Sequence, residues 1–299
     1  MSVPFAFVGI VFIWSTTPLA IKWSGDDVGF LFGVAARMAI ALVLSIAIVA
    51  LIRKTLPLDK KSLHVYLSVG IPMYAAMLLC YWGAQHVSSG LVSVVFGLTP
   101  IFTGLAANIW LAEKSFSVFK VLGMLFGMLG LSVIFQESLD FQSAATIGLF
   151  ALLAATIFHS FGTVWFKKVG SEMPAFVANT GGLVVSTILL VITGIIMGVE
   201  VPTRAPNYVI SAILYAAIFG SVVGAVLFYY SLKKVNATTI GLLPLITPVA
   251  ALFIGQLFNG EIISTNTING TATILMGLAV YQWADSFYLK FKSVRVSTD

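Results

Sequence analysis

Two ionisable side chains lie inside long apolar stretches, Arg37 and His159, and these are the first candidates for chemistry. Placing a charge in the hydrocarbon core costs roughly 2.5 to 3.5 kcal/mol on insertion scales, so each such residue needs a reason. Arg37 lies about eight residues into its run, roughly 12 Å from one end at 1.5 Å per residue. It suits either the carboxylate of a substrate or a structural contact with backbone carbonyls. A histidine at mid-span can hydrogen-bond a ligand, exchange a proton near neutral pH, or rest neutral on a helix carbonyl. Tyr74, Met77 and Tyr81 follow i, i+3, i+7 spacing, so they form one aromatic and thioether face for an apolar moiety or a neighbouring helix. Trp14, Phe96, Thr99 and Thr247 complete the candidate substrate-binding set, the two threonines because each precedes a proline inside an apolar run.

Other chemistries lack their residues. All eleven carboxylates fall in loops, tails or helix ends, so no acid is available at mid-span for proton exchange. His159-Ser160 has the types of a nucleophile and its base, but neighbours on a helix point about 100° apart, and no GxSxG context surrounds the serine. No GxxxxGK[ST] phosphate loop is present. The single cysteine, Cys80, excludes an intrachain disulfide and a thiolate cluster. No cofactor and no metal are therefore expected.

The elements that position these residues are membrane helices. Of 299 residues, 59% are hydrophobic and 9% charged, and mean hydropathy is +1.04; soluble domains carry about 25% charged residues. About 20 apolar residues span a bilayer, and ten such runs fill the chain: 3–21, 30–52, 63–84, 89–111, 119–135, 146–166, 175–197, 207–232, 237–258 and 267–288. The net charge of +5 is scattered in short pairs, which fits topology rather than nucleic acid. With a cytoplasmic N-terminus, thirteen Lys and Arg lie on the inner side and only Lys22 and Arg204 on the outer. That positive-inside bias supports an even span count with both termini cytoplasmic.

The chain repeats itself. Residues 81–113 and 229–261 match at an offset of 148 through Tyr81/Tyr229, Val87/Val235, Thr99/Thr247, Pro100/Pro248 and Glu113/Glu261, with both Thr-Pro pairs expected at mid-helix. Ser15/Ser160 and Lys22/Lys167 match at 145, and Gly123/Gly270 and Gly130/Gly277 at 147. Five helices per copy is odd, so the second copy is inverted. The expected fold is all-α, ten transmembrane helices as a 5+5 inverted-topology repeat: residues 1–142, 143–288 and a cytoplasmic tail 289–299. Such repeats put a binding site at the midplane, and the repeat sets Trp14 and His159 at equivalent depth there.

Trp14-Ser15 with Lys22, Arg37, and the Pro100 and Pro248 segments ending in Glu113 and Glu261 resemble the drug/metabolite transporter superfamily, and within it the ten-helix EamA-like exporters, over essentially the full chain. The resemblance implies a 5+5 bundle whose third, fourth, eighth and ninth helices are central, and a substrate among amino acids or related metabolites. Aromatic amino acid exporters are among the proteins it resembles. The sequence departs from the pattern at His159, where an aromatic is common, and it has Trp14-Ser15 where small multidrug pumps carry a proton-coupling glutamate.

The expected function is a secondary transporter moving a small amphipathic metabolite by alternating access, as an exporter, facilitator or exchanger in the inner membrane. An intramembrane enzyme, a channel and a proton-coupled multidrug carrier are the alternatives. Expected partners are the substrate and the lipid bilayer. GxxxG spacings at Gly123/Gly127 and Gly220/Gly224 serve either packing within the chain or a homodimer. Glu113 and Glu261 are expected to cap the helix that follows each or to pair with basic neighbours.

Overall fold

The computed structural model describes residues 3–111, 117–136, 144–170, 172–225, 227 and 243–296. Among the described residues the chain is helical, without strands. In order come α1 (Val3–Trp23), α2 (Phe30–Leu51), α3 (Lys60–Ala84), α4 (Ser89–Phe96), α5 (Thr99–Trp110), α6 (Val118–Phe135), α7 (Ala144–Val169), α8 (Ala175–Ile196) and α9 (Asn207–Tyr215). A π-helical segment (Ala216–Val223) continues α9, followed by α10 (Leu243–Asn259) and α11 (Thr265–Val296).

Local chemistry sets these boundaries. Asp59 accepts from the backbone N–H groups of Lys61 (3.0 Å) and Ser62 (3.1 Å) and so caps α3. Ser117 caps α6 through the N–H of Lys120, and Ser264 caps α11 through that of Thr267. Gly29 stands at φ 80° before α2, a backbone that glycine adopts without a Cβ clash.

Among the described residues six helical spans are long and apolar enough to cross a membrane: Pro4–Trp23, Phe30–Leu51, Lys60–Ala84, Ser89–Trp110, Ala144–Val169 and Ala175–Ile196. Shorter apolar helices cover Val118–Ile134, Asn207–Val223 and Ile246–Asn259. Phe5, Val8 and Phe12 on α1, Leu125, Met128 and Leu129 on α6, and Ile188, Ile192 and Ile195 on α8 stand exposed. An apolar exterior of this extent is what lipid, and not water, solvates.

The helices meet across the chain's midpoint. α3 packs on α7 and α8, α2 on α8, α4 on α10, α1 on α10, and α6 on α11. Small residues set the distances: a Cβ on Gly70 would lie 2.7 Å from the Gly182 oxygen, and one on Gly83 would lie 2.8 Å from the Gly148 oxygen. Along α6 and α11 the pairing is crosswise, Gly123 against Gly277 (2.6 Å) and Gly130 against Gly270 (2.5 Å).

Several expectations need correction. The fourth run is not one helix: it breaks at Gly97-Leu98, and Pro100 becomes the second residue of α5, where its missing N–H removes no helical bond. Pro248 does sit inside its helix, α10. The eighth run carries the π-helical segment. Helix α11 continues through Val296, so residues 289–296 are helical. Both GxxxG faces are used within the chain, Gly123 against Gly277, Gly220 beside Arg37 and Thr17, and Gly224 beside Ile13 and Trp14, which removes the basis for a dimer there. Glu113, Tyr229, Val235 and the rest of residues 228–242 lie outside the described residues.

Candidate functional site

Arg37 is 5% exposed and is held by two elements distant in sequence. Its Nε donates to Ser221 Oγ at 3.1 Å and its Nη1 to the Tyr81 hydroxyl at 3.4 Å. The guanidinium carbon lies 5.9 Å from the centre of the Tyr81 ring. Ser221 reaches it because the π turn widens the helix there, and the serine hydroxyl also donates to the Ala216 oxygen, five residues back, at 3.3 Å. Tyr81 is fully enclosed, and Ser24 Oγ at the end of α1 lies 3.3 Å from its hydroxyl. Thr17 and Trp14 on α1 approach the same π segment at Gly220 and Gly224. Three candidates, Trp14, Arg37 and Tyr81, are thus brought together around one segment.

A second group forms at the α4–α5 break. The Phe96 and His159 rings lie 6.2 Å apart, Thr99 donates to the Phe96 oxygen at 2.6 Å, and Ser160 donates to the Thr99 oxygen at 3.3 Å. His159 is exposed, yet Leu152 and Ala155 on the same side of α7 are fully enclosed. The exposed stripe of α7, Phe150, Ile157 and Phe161, points elsewhere. His159 therefore opens onto accessible space along the face that packs inward. Gly97, in the break, sits against Pro248 of α10.

The remaining candidates separate from these groups. Tyr74 shares a 2.7 Å hydrogen bond with Thr193 of α8, so its polar end is committed to helix packing. Thr247 is buried and donates to the Leu243 oxygen of its own helix. Met77 is half-buried against the main core cluster. Sequence reasoning missed Ser221 and Thr17; the Gly220-Ser221 pair was the available signal for an irregular helix.

Electrostatically, the Arg37 site is one-signed. The ion pair among the described residues is Lys61–Glu172, an exposed contact far along α3 from Tyr81. No described acid meets Arg37, and no group of three or more His, Cys, Asp or Glu among the described residues could hold a metal.

Several polar contacts between distant segments gather at one end of the bundle. Glu261 accepts from Ser89 N (2.9 Å), Ser89 Oγ (2.9 Å) and Gly90 N (3.4 Å), and from Asn259 Nδ2 (2.9 Å). It caps α4, more than 160 residues earlier in the chain, and not the helix that follows it. Beside it, Trp23 Nε1 donates to Asn259 Oδ1 at 2.8 Å, and Tyr208 donates to Asp27 at 3.0 Å. Lys22 Nζ donates to the Val87 oxygen at 2.6 Å.

Comparison with known proteins supplies the family. The model of the EamA-like transporter family matches twice, over residues 1–136 and 146–282. An uncharacterized transporter, YoaV of Bacillus subtilis, is 26% identical over 280 residues, 93% of this chain and 96% of that protein. The S-adenosylmethionine/S-adenosylhomocysteine transporter of Chlamydia trachomatis is 26% identical over 262 residues, 84% and 80% of the two chains. A protein of known crystal structure superposes with a TM-score of 0.65 at 18% identity, covering 94% of this chain and 97% of that one, a likeness of fold. These relatives carry the names of transporters and not of enzymes. On the matches that cover both halves of its length, the chain belongs to the EamA-like transporter family.

Proposed function

We propose that this membrane transporter is a secondary carrier of ten spans in two inverted halves, residues 1–142 and 143–288, which moves an amino acid or related amphipathic metabolite by alternating access. The crosswise glycine contacts carry the reading. Gly123 and Gly130 correspond in sequence to Gly270 and Gly277. A two-fold axis relating the halves turns the Gly123–Gly277 contact into a Gly270–Gly130 contact, and both are present.

Helix pairing supports the same axis, since α2·α8, α4·α10 and α6·α11 are each a repeat element meeting its own counterpart. Contacts also sort by side. Asp27–Tyr208, Trp23–Asn259 and Ser89–Glu261 join loops that ten spans put outside, and Lys61–Glu172 joins two put inside. With the positive-inside bias, this favours cytoplasmic termini and the inner membrane. The outer end is then the tied one.

Trp14 and Arg37 form one wall of the substrate site, with the enclosed Tyr81 behind Arg37 as its support, and Phe96, Thr99 and His159 form the other, with Met77 between them on α3. Tyr74 and Thr247 take structural roles. S-adenosylmethionine, named for the Chlamydia relative, bears an amino-acid moiety, which accords with this substrate class. Export or exchange fits a chain whose described spans hold no acid for proton coupling. Counterflow in proteoliposomes tests the proposal: saturable uptake of a labelled amino acid, accelerated by unlabelled compound inside, is expected. Unsaturated flux indicates a channel and contradicts it.

A further inference from the structure

Resting on that reading, we infer that the substrate binds as a monocarboxylate on Arg37 Nη2, beside Gly220. Arg37 has five N–H donors. Ser221 takes the one on Nε and Tyr81 one of the pair on Nη1. Nη2 has no hydrogen-bond partner among the described residues. A guanidinium enclosed this far loses most of its hydration, and two neutral hydroxyls and an aromatic ring replace only part of it.

The group that completes the site is an anion. A Cβ on Gly220 would stand 3.1 Å from Nη2 and 3.4 Å from Thr17 Oγ1. Glycine there keeps a side chain off Nη2, and the neighbouring Thr17 hydroxyl donates to the Ile13 oxygen at 2.6 Å. The bonds from Ser221 and Tyr81 fix the plane of the guanidinium, so the remaining fork is presented in one orientation, as two-point binding of a carboxylate requires.

Charge selects among anions. Arg37 is the one cation among the groups described around Gly220 and Ser221, so a single negative charge is balanced, whereas a phosphate monoester brings about −1.5 to −2 at pH 7. Lys22, on the same helix as Thr17, has its amine on the Val87 oxygen. The carboxylate end of the ligand then lies by the π segment, and its apolar part extends along Trp14.

The test is a thermal-shift titration of the purified full chain in detergent. Its probes are L-phenylalanine, L-tryptophan and L-methionine, each paired with its amide, and phenyl phosphate. The acids should raise the melting temperature at concentrations about tenfold or more below those their amides need. That preference should disappear in Arg37→Gln and in Gly220→Ala, which keeps the charge and places a methyl beside Nη2. Arg37→Lys, which keeps the charge without the fork, should lose most of it. Ligand-free melting of each variant shows whether it is folded, and Gly220→Ala decides the matter if Arg37→Gln is not. Equal response to acid and amide, no response to any acid, a stronger response to phenyl phosphate, or a preference surviving in Gly220→Ala overturns the inference. Saturable, trans-stimulated counterflow of a compound without a carboxylate would do so too while leaving the carrier reading intact.

Discussion

Replacing Glu261 tests whether the two halves are tied at one end through a single carboxylate. Its two oxygens cover the first N–H groups of α4, at Ser89 and Gly90, and Ser88 Oγ accepts from the third, at Leu91. Three of the four orphan donors of that helix are thereby satisfied, with a negative charge at its positive end. Glu261→Ala strands the Ser89 and Gly90 donors and the Ser89 hydroxyl. Loss of a cap costs about 0.5 to 2 kcal/mol, and a hydrogen bond to a charged group is worth about 1.5 to 3 kcal/mol. The Gly90 bond is long, so the sum is taken as about 3 kcal/mol for Ala and about half of that for Gln, which keeps one acceptor.

At roughly 2 °C or more per kcal/mol for a chain of this size, Glu261→Ala should melt about 6 °C lower than the parent in detergent. Gly255→Ala reaches the same contact without altering charge, because its Cβ would overlap the Glu261 carboxylate. A double-mutant cycle of Glu261→Ala with Ser89→Ala should be non-additive, the second change costing little once the first is made. Melting of Glu261→Ala within a degree of the parent, or full additivity with Ser89→Ala, would refute the cap.

Gly123→Val should destabilise by about 1 to 3 kcal/mol or prevent folding, since its first side-chain carbon meets the Gly277 backbone; detergent melting and membrane yield report it. Tyr81→Phe removes the acceptor of Arg37 Nη1 and should cost about 1 to 3 kcal/mol in the same assay. His159→Phe, inserted at normal levels, should lower counterflow by about tenfold, as loss of a polar contact to a bound ligand would; unchanged flux would place the residue outside the path. The Ser62 hydroxyl bonded to Asp59 holds that carboxyl below the usual aspartate range. Its stabilising effect is present above the ordinary aspartate pKa and is lost as pH falls through the lowered value, so an acid melting series should flatten in Asp59→Ala.

Much of the bundle was legible because length and apolarity alone define a span, and little water-soluble sequence intervenes. What sequence could not show was where a span stops being a regular helix. Pro100 reads as a kink in a continuous run, but after Gly97 the chain restarts a helix in which proline is well placed. The π segment is equally hidden, since its apolar residues and glycines suit an α-helix as well. At the site, Arg37 announced itself by the cost of its burial, while its partners lie 44 and 184 positions away and no local pattern joins them. The carboxylate of Glu261 was expected to act on its own neighbourhood, where a cap usually acts; its use on α4 depends on how the halves close.

The inverted halves are tested most directly by side-specific labelling. With Cys80 replaced by alanine, single cysteines at Asp26, Leu58, Glu172 and Arg204 sample the first loop of each half and the loop beyond its next helix. The account predicts that an impermeant maleimide added to intact cells labels positions 26 and 204 but reaches 58 and 172 only after the membrane is opened. Labelling of 26 and 172 from the same side would mean that the halves run alike, and the shared site between them would not exist.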